Sequence, residues 1–128
     1  EILNGKVKNK NICFLGVTFK ANTDDMRDSS CLTMIPSLIN KGAVINYFDP
    51  TGEKKIFKNL KNVSFSKSIN SAIKDSDLII IHTEWNDFKS INFKKFVQNK
   101  KFKIFDLRNI YSSTKMKEQK IKYFAIGC

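Results

Sequence analysis

The sequence is short of arginine, histidine, proline and cysteine, and each shortage narrows what the chain can be. Only two of its 23 cationic residues, Arg27 and Arg108, are arginine. Proteins that read phosphates or base edges favour the bidentate guanidinium over the point charge of lysine. A formal charge of +11 and a pI near 9.7 therefore do not alone define a nucleic-acid footprint, although clustered cations attract polyanions. The lysines are scattered, with no run of five or more, as expected of solvated faces. A basic module that captures RNA or another polyanion stands as the competing class. Three cysteines, Cys13, Cys31 and Cys128, are odd in number and unrelated in spacing. That excludes a disulfide framework and a zinc pattern, and suits a reducing cytoplasm. The longest unbroken apolar stretches, 12–15 and 78–81, fall far short of the roughly 20 residues that span a bilayer, and no signal-peptide pattern is present.

What the chain does contain is a core's worth of apolar side chains. Hydrophobic residues make up 41% of 128 positions, eleven of them Phe, enough for one domain and too many for disorder. Asn11 to Thr18 is a continuous apolar run, the pattern of a strand covered on both faces. Leu32, Ile35, Leu38 and Ile39 follow at helical spacing. Asp28, Ser29 or Ser30 is available as N-cap, Gly42 stands at the terminating position, and Pro36 is expected to bend the helix. Residues 44–48 read as a second strand, stopped by Asp49 and Pro50, which completes a βαβ unit. The alternation continues with a short helix near 53–57, a strand near 63–65, a helix over 68–74 and strands over 77–82, 103–106 and 123–126. The expected fold is therefore α/β, a three-layer Rossmann-like arrangement around a mostly parallel sheet. Without a repeat, a low-complexity tract or a proline-rich linker, no boundary falls inside 10–128. Residues 1–9 read as a lead-in from a preceding element, and a chain that opens at Glu1 is expected to be an excised piece.

In open α/β sheets ligands sit beyond the carboxyl ends of the strands. After the first strand comes Phe19 to Asp28, about ten residues where such loops usually take two to six. It carries Lys20 and Arg27 just before a helix start whose free amides attract anions. Arg108 follows the strand that ends at Asp106. Both arginines thus fall at the ligand edge, suited to a phosphate-bearing ligand. The bland alternative is that Arg27 pairs with Asp24, Asp25 or Asp28 and Arg108 with Asp106, each merely bracing its loop. The three loop aspartates read as caps rather than metal ligands. His82, the one histidine, precedes Glu84 and Trp85 and is either an acid–base group or a strand-end residue. Cys13 and Cys31 lie within elements and lack a neighbouring His. With no Gly-x-Gly-x-x-Gly after any strand and no P-loop, the chain lacks a complete catalytic apparatus.

Five segments, Gly16-Val-Thr-Phe-Lys20, Asn22-Thr-Asp-Asp-Met-Arg-Asp-Ser29, Gly42-Ala43 leading to Phe48-Asp-Pro50, Thr83-Glu-Trp-Asn-Asp-Phe88 and Asp106-Leu-Arg-Asn-Ile-Tyr111, together resemble the C-terminal UDP-binding domain of the UDP-glucose/GDP-mannose dehydrogenases. Their order and spacing cover essentially the whole chain, and the wording looks most like bacterial UDP-glucose 6-dehydrogenases. Leu107, Ser30-Cys31 and Cys128 depart from the family pattern. The resemblance implies oxidation of a sugar C6 alcohol to a carboxylate in two hydride transfers to NAD, through a cysteine-linked intermediate. The cysteine and the NAD fold would come from N-terminal and central helical domains outside this chain, in a dimer or larger assembly. It further implies that Phe19, Lys20 and Arg108 contact the UDP-sugar and that Arg27 reaches the NAD pyrophosphate. A sibling enzyme acting on another UDP-sugar or on GDP-mannose is the nearest alternative.

Overall fold

A computed structural model describes residues 7–97, 102–118 and 121–125. Six strands, β1 (Asn11–Leu15), β2 (Val44–Phe48), β3 (Val63–Phe65), β4 (Leu78–Ile81), β5 (Lys103–Asp106) and β6 (Lys122–Ala125), form one sheet in the order β3-β2-β1-β4-β5-β6. Every pairing is parallel. The helices are α1 (Cys31–Asn40), α2 (Lys55–Lys58), α3 (Ile69–Ile73), α4 (Asn86–Lys89), α5 (Lys94–Val97) and α6 (Ser113–Glu118).

Period-2 alternation explains the three layers, because successive strand residues face opposite sides. Ile12 and Phe14 of β1, with Leu78 and Ile80 of β4, pack beneath Cys31 and Ile35 of α1 and Phe57 of α2. Cys13 and Leu15, with Ile79 and Ile81, face the other way, toward Ala72 and Ile73 of α3, Phe88 of α4 and Met116 of α6. Both faces are covered, so these strands read as unbroken apolar runs. At full burial each Ile, Leu, Phe or Met among them contributes about 1.5–3 kcal/mol.

The expected α/β fold is what the structure contains, with every strand where the pattern put it and a sheet parallel throughout. Helix α1 runs through Pro36 to Asn40. Ser30 occupies its N-cap position without a side-chain cap bond. Ser29 supplies that bond instead, its Oγ accepting from the Cys31 amide at 3.2 Å. Beyond the helix Gly42 adopts φ +95, and its carbonyl accepts from the Asn9 amide at 2.8 Å, so residues 7–9 are docked onto the end of α1. Ile126 and Cys128, at the end of the sixth expected strand and of the family motif, lie outside the described residues. No helix among the described residues is long and apolar enough to cross a membrane.

Candidate active site at the strand switch point

The chain leaves β1 toward β2 on one side of the sheet, and from β3 it crosses to β4 on the other side of β1. The carboxyl ends of β1 and β4 therefore flank the topological switch point, the position at which open α/β sheets bind ligands in a crevice between diverging loops. Two cavities found among the described residues, one lined by Asn11, Val44, Asn46 and Asp75 and the other by Ile73, Phe96 and Phe102, lie instead at the opposite, amino-terminal edge of the sheet. Three loops meet there: the long one after β1, His82 to Trp85 after β4, and Leu107 to Tyr111 after β5.

The loop after β1 is rich in Asn and Asp because it turns left-handed twice, at Asn22 (φ 64) and Asp28 (φ 61), which these short polar residues tolerate best after glycine. It is closed on itself by local bonds. The Phe19 amide donates to the Asp25 carbonyl at 3.0 Å, the Thr18 hydroxyl to the Lys20 carbonyl at 3.0 Å, and the Ser29 hydroxyl to the Val17 carbonyl at 2.6 Å. Its first residues are tied to β2 by Asp49, whose carboxylate accepts from the Val17 amide at 2.9 Å and from the Thr51 amide at 2.9 Å. The outcome is an exposed tip in a fixed frame. Phe19 is 46% exposed, unusual for so apolar a side chain, and Lys20 beside it is also exposed.

Arg27 lies further along and pairs with Asp25: Nη2 to Oδ2 is 3.0 Å, with the Arg27 side chain 88% exposed. The pair lowers the Asp25 pKa and raises that of Arg27. Solvent screens so exposed a pair, and it adds little to stability. The bland expectation for this residue is thus met, and the guanidinium nonetheless faces solvent.

Arg108 behaves differently. Its backbone amide bonds Asp106 Oδ1 at 2.9 Å, but its guanidinium does not turn back to that carboxylate. Nε donates to the His82 carbonyl at 2.8 Å and Nη2 reaches the Phe19 carbonyl at 3.5 Å. Both acceptors are neutral, and among the described residues no carboxylate lies within salt-bridge distance. The bracing expectation for Arg108 holds for its amide and fails for its side chain. Its positive charge reaches across the switch point from β5 toward β1 with no carboxylate partner among the described residues.

Asp106 makes that reach possible. It is fully buried, and its Oδ2 accepts from the Ile110 amide at 2.8 Å, the Tyr111 amide at 3.1 Å and the Tyr123 hydroxyl at 2.7 Å. Asn109 takes φ 56, so the chain curls around one carboxylate and projects Arg108 across the edge. The sequence presents Asp49 as a strand terminator and Asp106 as a strand end and possible brace for Arg108, not as a carboxylate that organises the turn. Their position directly after a buried strand, followed by a turn, was the available signal.

His82 is 2% exposed. Its Nε2 lies 2.7 Å from the Ser30 hydroxyl and its Nδ1 3.0 Å from Thr83 Oγ1. The Thr83 hydroxyl donates its only proton to the Thr18 carbonyl at 2.9 Å, so it accepts from Nδ1–H, and Nε2 accepts from Ser30. Burial, with the Arg108 charge beside it, pushes the imidazole pKa down to about 4, overriding the opposite pull of Asp49 and of the Gly16 backbone. His82 is therefore a neutral, doubly bonded strut rather than an acid or base at pH 7. Its folded pKa lies below the ordinary 6.5, so the unfolded chain binds the extra proton. Stability is complete above about pH 6.5 and declines as pH falls toward 4, at a slope approaching ~1.4 kcal/mol per pH unit. Urea midpoints measured from pH 7.5 to 4 should fall in that window, and should fall less in His82→Gln. A flat wild-type profile would show that the imidazole is not held neutral.

The two described cysteines, Cys13 and Cys31, are both buried, and burial pushes their thiol pKa values well up, away from the thiolate a nucleophile needs. Glu84 is exposed. Trp85 packs into the core with its Nε1 buried and unpaired among the described groups. No cluster of three His, Cys, Asp or Glu side chains among the described residues is placed to hold a metal ion.

An all-parallel doubly wound sheet with an arginine reaching across its switch point is the architecture of the Rossmann-like class of domains. Comparison with known proteins narrows it. Residues 13–113 match the model of the UDP-glucose/GDP-mannose dehydrogenase family, UDP binding domain, and the chain belongs to that family. A UDP-glucose 6-dehydrogenase of Rickettsia felis is 41% identical over 98% of this chain and 29% of its own length. One from Drosophila melanogaster is 30% identical over 92% of this chain and 28% of its own. The solved structure of a UDP-D-ManNAc dehydrogenase from Pyrococcus horikoshii aligns with a TM-score of 0.77 at 25% identity, over 98% of this chain and 27% of that one. The chain thus spans under a third of the length of these relatives.

Proposed function

We propose that residues 10–128 are the UDP-sugar-binding C-terminal domain of a cytoplasmic NAD-dependent UDP-glucose 6-dehydrogenase, with residues 1–9 entering from a preceding element. The NAD-binding domain and the catalytic cysteine belong to other parts of a dimeric or larger enzyme. The observation that carries the proposal is the Arg108 guanidinium. It stands at the switch point, held by two neutral carbonyls, with its charge available to a phosphate. Arg108 binds the UDP-sugar together with Lys20, and the exposed Phe19 offers an apolar face beside them. Toward NAD, which accepts hydride in such enzymes, this chain offers Arg27. Its exposed pair with Asp25 is weak enough to exchange for a pyrophosphate across an interdomain cleft.

Two exchanges in the complete enzyme test these roles. Arg108→Lys keeps charge but loses the planar fork. The Michaelis constant for the sugar nucleotide should rise about tenfold to a hundredfold, the equivalent of a charge-assisted contact of roughly 1.5–3 kcal/mol, with that for NAD little changed. Arg27→Lys should do the opposite. Equal effects on both constants, with a lower melting temperature, would mean that the arginines only brace their loops.

A further inference from the structure

The buried His82 ring is more than a strut for the fold, because it sits where the loops after β1, β4 and β5 converge. Its Nε2 accepts from Ser30, the residue at the start of α1, at 2.7 Å. Through Nδ1 it holds Thr83 at 3.0 Å, and Thr83 in turn holds the Thr18 carbonyl at 2.9 Å, one residue before Phe19. The His82 backbone carbonyl is the acceptor for Arg108 Nε at 2.8 Å. Three segments separated in sequence, residues 18–30, 82–83 and 108, are thereby joined through a single residue.

From this convergence, and resting on the reading of the crevice as a UDP-sugar site, we propose that His82 is a positioning residue for ligand binding. The Ser30–His82–Thr83 chain of hydrogen bonds sets the distance between the Phe19–Lys20 tip and the Arg108 guanidinium.

The physical reasoning is one of constraint. A binding loop of ten or so residues has many conformations, and each residue that must be ordered on binding costs backbone entropy. A loop held in place before the ligand arrives avoids that cost. The local bonds within residues 17–29 give the loop its shape, but its placement relative to Arg108 comes from across the crevice, and the His82 ring is one of the groups that bridge it. Ser30 itself is exposed while the ring beneath it is buried. Ser30→Ala therefore removes one hydroxyl at the mouth of the crevice without opening a cavity, which makes it a clean partner for substitutions at the ring.

The test is calorimetric titration of the 128-residue chain with UDP, in wild type, Ser30→Ala, His82→Ala, His82→Gln and the Ser30→Ala/His82→Ala pair, each checked for folding by circular dichroism. Wild type should bind. Ser30→Ala should weaken binding about threefold and His82→Ala about tenfold, the range of one to two hydrogen bonds. The pair should be no weaker than His82→Ala alone, because both remove the same link. His82→Gln keeps an acceptor within reach of Ser30 and should recover affinity to within about threefold of wild type. If His82→Ala does not fold, Ser30→Ala and His82→Gln still decide the matter. Wild-type binding with unchanged affinity in Ser30→Ala and in whichever His82 variants fold, or additive losses in the pair, would overturn the positioning role alone. A wild-type chain that fails to bind UDP would overturn the UDP-site reading and the positioning role with it.

Discussion

Replacing Asp106 by alanine should cost on the order of 3–5 kcal/mol of folding free energy, a large share of the ~5–15 kcal/mol available to a domain of this size. The carboxylate is fully buried and serves four donors: the amides of Arg108, Ile110 and Tyr111 and the Tyr123 hydroxyl. Truncation leaves these donors without their acceptor, at roughly 1–3 kcal/mol for each one that stays buried. Asp106→Asn should be intermediate. Its single carbonyl oxygen can serve one side of the turn, while its NH2 group must face donors on the other. Tyr123→Phe removes the one hydroxyl proton that Asp106 Oδ2 shares with the Tyr111 carbonyl, 3.1 Å from the phenol oxygen; about 1 kcal/mol is expected. Urea unfolding with an unchanged slope would report these differences as stability alone. A loss below about 1 kcal/mol for Asp106→Ala would mean that the turn around Arg108 does not depend on this carboxylate.

Gly16→Ala should cost nearly as much, for a steric reason. Gly16 closes β1 at φ +80, and a Cβ there would stand 2.5 Å from Thr83 Cβ and 2.8 Å from Thr83 Oγ1. Left-handed backbone costs an L-residue roughly 1–2 kcal/mol, and forcing atoms into a packed site adds about 1–3 kcal/mol. Thr83 has little room to retreat, since it is fully buried and bonded to His82 and Thr18. A total of about 2–5 kcal/mol follows. Asparagine separates the two contributions. It tolerates left-handed φ better than alanine, yet it carries the same Cβ and a larger side chain, so Gly16→Asn should be at least as damaging. A markedly milder Asn variant would show that φ, not the approach of Thr83, requires the glycine.

Both substitutions act on the frame of the crevice rather than on a ligand contact, and the frame is the part least visible in the sequence. The strands were legible because parallel strands buried on both faces leave unbroken runs such as Leu78 to Ile81. Helix α1 was legible from ten residues of 3.6-period spacing. Helices α4, α5 and α6 were not expected, and at four to six residues they are too short to display a period. At the site, local order was readable and long-range pairing was not. The Asn- and Asp-rich loop announced its turns, and Arg27 found a partner two residues away. Arg108 reaches a carbonyl 89 positions distant, and His82 meets a hydroxyl 52 positions away. Neither contact has a local signal, because register and crossover direction create it. Asp106 was read as a possible ion-pair partner for Arg108; in the folded chain it instead shapes the backbone that carries the arginine.

UDP recognition is tested most directly by calorimetric titration of the chain with UDP, with a mixed-sequence RNA as the comparison ligand at the same physiological salt. Saturable one-to-one binding of UDP is expected, weakened by about tenfold or more in Arg108→Ala, with no comparable uptake of RNA. Tight, steeply salt-dependent binding of RNA with no preference for UDP would contradict it, and would make the +11 charge, rather than the switch-point crevice, the functional feature of the molecule.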